Sequence, residues 1–71
     1  MNRAISAAAD SKVETIQKLL SRLGYQPGPA TGLMNPKTQF AIMKFEETAG
    51  LPIKGEASSA ILDALLSEIT G

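Results

Sequence analysis

The side chains in this sequence that are equipped for chemistry are few and concentrated. Tyr25, Thr31, Asn35 and Thr38 lie in or beside Gln26 to Met34, a stretch with two prolines and two glycines that must be irregular and tightly turned. Neutral hydroxyl and amide groups on such a loop offer hydrogen bonds to a ligand. The stretch is where function is expected. Glu46 and Glu47 form a carboxylate pair in sequence only, because adjacent helical positions diverge by about 100° and cannot both flank one scissile bond. The pair reads as a solvated face. With no Cys and no His, zinc fingers, thiol chemistry, iron–sulfur clusters and Ser-His-Asp triads are excluded, and any metal would have to be held by carboxylates alone. No general base with a perturbing partner can be named, so neither catalysis, nor a metal, nor a cofactor is expected.

These groups must be positioned by very little protein. Seventy-one residues allow one domain, whose apolar burial only just offsets the ordering cost of about 1.5 kcal/mol per residue. Seven basic and seven acidic side chains cancel, and the basic ones are scattered from Arg3 to Lys54, which gives no drive toward nucleic acid. No apolar run approaches the roughly 20 residues of a membrane span, and the opening residues lack the apolar core of a secretory signal.

Met1 to Asp10, rich in Ala and Ser, reads as a linker or frayed helix, and residues 11–71 as the domain. Ser11-Lys12-Val13-Glu14 fits a capping box, in which Ser takes the N3 amide proton and Glu reaches back. Val13, Ile16, Leu19, Leu20 and Leu23 recur at helical spacing, and Gly24 with Tyr25 then supplies a left-handed stop with a hydrophobic contact back to Leu20. Asn35-Pro36 starts a second helix whose Thr38, Ala41, Ile42, Phe45 and Ala49 share a face, ended by Gly50-Leu51-Pro52. Ser58 caps a third with Ile61, Leu62, Leu65, Leu66 and Ile69 on its apolar side. The sequence therefore predicts an all-α, compact three-helix domain with two Gly/Pro-rich loops. Its helices run near Ser11–Leu23, Pro36–Ala49 and Ser58–Thr70, and no strand is expected.

Phe40 and Met43 fall roughly opposite the Ala41/Ile42/Phe45 stripe, where polar groups belong. Either they form a contact patch for a partner, or the N-terminal segment folds over them through Ile5.

From Val13 to about Leu66 the chain resembles the small peptidoglycan-binding-like domain of bacterial cell-wall hydrolases and envelope proteins. Gln17 and Leu20 match its Gln-x-x-Leu element, Leu23-Gly24-Tyr25 its Leu-Gly-Tyr, and Gly32 and Thr38 part of its Asp-Gly-x-x-Gly-x-x-Thr. Ala41, Ile42 and Phe45 match its Ala-Val-x-x-Phe-Gln, and Gly50-Leu51 and Gly55 complete the frame. Thr31 replaces the family's Asp, Asn35 its second Gly, and Glu46 its Gln. The resemblance implies a three-helix fold, a periplasmic or cell-envelope location and binding of peptidoglycan, through its glycan or its stem peptide, by Tyr25, Thr31, Gly32, Asn35, Thr38 and Glu46.

Bland roles compete with this. Thr38 at N3 is suited to satisfy a local backbone group, Gly32 to supply a backbone conformation, and Tyr25 either to stack on a sugar or to close the first helix. Two function classes follow on the same fold: a non-catalytic wall-targeting module that localises a larger envelope protein, or a protein-interaction module that has lost wall binding and uses Phe40 and Met43.

Overall fold

The computed structural model describes residues 9–71. It consists of α1 (Ser11–Arg22), α2 (Pro36–Ala49) and α3 (Ser59–Thr70), with no strand among the described residues. None of these helices is long and apolar enough to cross a membrane. The expectations for Met1 to Ala8, including a fold-back of Ile5, lie outside the described residues.

Each helix begins where a short polar side chain can accept amide protons, and one of the three starts differs from expectation. Asp10, not Ser11, caps α1: its Oδ1 accepts from Lys12 N at 2.7 Å and Val13 N at 3.4 Å. Ser11 becomes the first helical residue, and Glu14, instead of reaching back to the cap, pairs with Lys18 at 3.4 Å. The carboxylate one residue earlier wins because it serves two amides and carries the charge that a helix N-terminus favours. Asn35 Oδ1 accepts from Thr38 N at 2.8 Å and Ser58 Oγ from Ile61 N at 3.3 Å, as the sequence predicts.

The two stops match one another. Tyr25 N donates to Leu20 O at 2.9 Å and Gly24 N to Ser21 O at 3.1 Å; after α2, Leu51 N donates to Glu46 O at 2.8 Å and Gly50 N to Glu47 O at 3.3 Å. Both are Schellman closures, and each sends its last residue, Tyr25 or Leu51, back against the core.

The core is built from Ile16 and Leu20 of α1, Ala41, Ile42 and Phe45 of α2, and Ile61 and Leu65 of α3, with Val13 also buried. α1 packs against both other helices. Tyr25 meets Phe45 edge to face, centroids 5.9 Å apart and planes at 87°, the arrangement in which ring quadrupoles attract. The apolar face of α3 is narrower than its sequence suggests, since Leu66 is 42% exposed.

Three polar side chains, Gln17, Thr38 and Glu46, are buried among these apolar ones. For Glu46 this corrects the solvated-face reading. Glu47 does face solvent, but Glu46 follows Ile42 by one turn on the inner side of α2.

Candidate functional site

The first loop, between α1 and α2, is held from beneath by Gln17 together with Thr38. Gln17 Nε2 donates to Leu33 O at 3.0 Å and to Thr38 Oγ1 at 2.9 Å, while Gln17 Oε1 accepts from Gly32 N at 2.9 Å. Both amide protons and the carbonyl are thus used, which lets a primary amide sit fully buried without a desolvation debt. Thr38 continues the chain by donating its hydroxyl proton to Pro27 O at 2.8 Å. One side chain on α1 and one on α2 therefore pin the loop at Pro27, Gly32 and Leu33.

Gly32 is fixed from the other side as well, for its carbonyl accepts from Asp10 N at 2.9 Å. Its φ is +82°, and a Cβ there would lie 3.0 Å from Asp10 O and 3.1 Å from Asp10 N, so a side chain meets both backbone strain and backbone atoms. Thr31 stays exposed at the turn, its Oγ1 accepting from Leu33 N at 3.2 Å.

The expected binding residues now divide. Thr31, Gly32, Asn35 and Thr38 come together around Gln17, but only Thr31 is exposed and Asn35 half-buried with its carbonyl oxygen committed to the cap. Thr38 and Gly32 are buried with their polar groups engaged, and in this structure they shape the loop. Glu46 is buried and engaged as well. It stands under the second loop, where its Oε1 accepts from Lys54 N at 2.8 Å and Gly55 N at 2.9 Å. Free amides at the start of α2 are also scarcer than the Asn-Pro start suggests. Pro36 has none, Thr38 N goes to the cap side chain and Gln39 N to the cap carbonyl, which leaves Lys37 N.

The open surface is a groove of about 620 Å³ between the chain leaving α1 and the first turns of α2. Tyr25, Pro36, Phe40 and Ala41 give it apolar walls, and Lys37 and Lys44 stand at its edges. Phe40 is 62% exposed, with Lys44 Nζ 5.8 Å from its ring centroid, within cation–π range. The groove thus unites Tyr25, expected at the ligand, with Phe40, expected at a partner. Met43 does not join them in a fully open patch. It is half-buried and leans on Gly55, where a Cβ would come within 3.1 Å of its Cγ and 2.9 Å of Gln39 Cγ.

Gln17, Lys37 and Lys44 were not singled out as functional by their chemistry in the sequence, although signals existed. Gln17 falls one turn from both Val13 and Leu20 on the apolar stripe, so a polar group there points inward. Lys37 and Lys44 flank Phe40 at a separation of two helical turns. No group of three or more metal-ligating side chains occurs among the described residues.

The comparisons with known proteins agree with this architecture. The family model described as "Putative peptidoglycan binding domain" matches residues 9–65. Localization factor PodJL of Caulobacter vibrioides, in strain NA1000 / CB15N and in strain ATCC 19089 / CIP 103742 / CB 15, is 34% identical over 65 residues. That alignment covers 92% of this chain and 7% of the relative, so the chain spans only a small part of the proteins it matches. No solved structure matches it. Extending from the cap of α1 to the middle of α3, the match to the family model encloses both pinned loops and the groove, and the chain belongs to the peptidoglycan-binding-domain family.

Proposed function

We propose that this chain is a non-catalytic module that binds peptidoglycan and holds a larger bacterial envelope protein at the wall. The observation that carries the reading is the groove beside the first loop: an open, largely apolar surface with cationic edges, set on a loop that Gln17 and Thr38 immobilise from behind. Such a backing keeps the surface in one conformation before a ligand arrives, which reduces the ordering cost of binding. The groove is open and shallow, and a few hydrogen bonds and exposed ion pairs worth about 1 kcal/mol each give micromolar affinity or weaker. That strength suits a module that localises its parent. The family relationship to a protein named as a localization factor supports the same role.

Co-sedimentation of the purified chain with washed sacculi tests the reading. Saturable pelleting that soluble muropeptides compete away is expected, and a chain that stays in the supernatant at low and physiological salt refutes it.

A further inference from the structure

Building on the wall-binding reading, we infer that the Tyr25/Phe40 groove recognises the anionic stem peptide of peptidoglycan and not its glycan, with Lys37 and Lys44 pairing with two carboxylates while aliphatic side chains rest on Phe40. Charge comes first. Both cations edging the groove are exposed, neither has a carboxylate partner among the described residues, and no residue lining the groove is acidic. The hollow over the second loop, about 330 Å³, differs in that Lys54 shares it with Glu46 and Glu56, so it presents no single sign.

Spacing comes second. Lys37 and Lys44 are seven residues apart on one helix, a rise of about 10.5 Å. An extended peptide advances about 3.3 Å per residue, so carboxylates about three residues apart meet both ammonium groups. Neither lysine is a free tether. The stem of Lys37 passes Gly28, where a Cβ would touch its Cδ at 3.6 Å, and Lys44 lies over Phe40. Lys37 also brings the one unpartnered backbone N–H that the first turn of α2 offers among the described residues, adding to the positive end of that helix.

Charge also argues against the sugar. Neutral disaccharide units make no use of two ammonium groups, whereas a short peptide with several carboxylates does.

The experiment follows amide shifts and affinity for three probes: a muropeptide with an intact stem, peptide-free glycan in the form of a neutral N-acetylglucosamine oligomer, and a linear Glu/Ala peptide of equal charge. The proteins are the wild type, the Lys37→Glu/Lys44→Glu pair, and Lys18→Glu/Lys54→Glu as a charge-matched control at exposed sites. The muropeptide should move the amides of Tyr25, Lys37, Phe40 and Lys44 while peptide-free glycan moves none. Charge reversal in the groove should weaken binding by about tenfold or more, against about threefold or less in the control. Equal binding of peptide-free glycan, or an unaffected Lys37→Glu/Lys44→Glu variant, overturns the inference while sacculus binding preserves the wall-binding reading. Equal binding of the linear peptide also overturns it and assigns the groove to an acidic protein segment. Failure to pellet with sacculi refutes the wall-binding reading itself.

Discussion

Gln17 and Thr38, separated by 21 positions in the chain and both fully buried, meet side chain to side chain at 2.9 Å, and between them they satisfy the backbone of the first loop at three residues. Gln17→Ala leaves Gly32 N–H and Leu33 C=O without partners and should cost about 2 to 4 kcal/mol. Gln17→Glu should be no milder, because a carboxylate cannot donate to Leu33 O or Thr38 Oγ1. Urea melts read the loss, and hydrogen exchange at the Gly32 amide distinguishes release of the loop from general destabilisation.

Glu46 does for the second loop what Gln17 does for the first, but through one oxygen. Glu46→Gln retains an acceptor for Lys54 N and Gly55 N and should change stability by about 1 kcal/mol or less, whereas Glu46→Ala strands both amides at a cost of about 2 to 4 kcal/mol. Thermal melts of the pair check this. A Gln variant as damaging as the Ala variant would mean that the charge, not the acceptor geometry, holds the loop.

The two phenylalanines should respond oppositely to truncation. Phe45 is 2% exposed and packs against Tyr25, so Phe45→Ala should cost about 3 to 5 kcal/mol, most of the margin of so small a domain. Phe40→Ala should cost about 0.5 kcal/mol or less and reduce binding instead. Chemical denaturation of both variants gives the comparison.

Asp10→Ala should remove about 1 kcal/mol or more, since the cap of α1 and a residue seated against Gly32 change together. Ser11→Ala should stay within about 0.5 kcal/mol. Melting temperatures in which Ser11→Ala is the more damaging would restore the capping box starting at Ser11.

Most of the fold was legible because its signals are local. Pro36–Ala49 is bounded by an Asn-Pro start and a Gly-Leu-Pro stop, and the helix has those ends. The start of α1 was less legible because Asp10 and Ser11 are adjacent, both competent to cap, and only their geometry separates them. At the site, Thr38 was legible as an inward position but not as a hydrogen-bond partner of Gln17, because that contact exists only once α1 and α2 are packed. Glu46 was the least legible. A carboxylate ordinarily faces water, and the two amides that draw it inward belong to a loop eight and nine residues further on.

The two loops have separate anchors, Gln17 with Thr38 under the first and Glu46 under the second. A face backed in this way is held in one arrangement before a ligand arrives, and occupancy of the groove is expected to leave α3 and the second loop where they are. On the wall-binding reading proposed above, the domain would act as a fixed mooring, raising the effective concentration of whatever is attached to it near the wall, and its influence would depend on tether length and copy number more than on any change of shape.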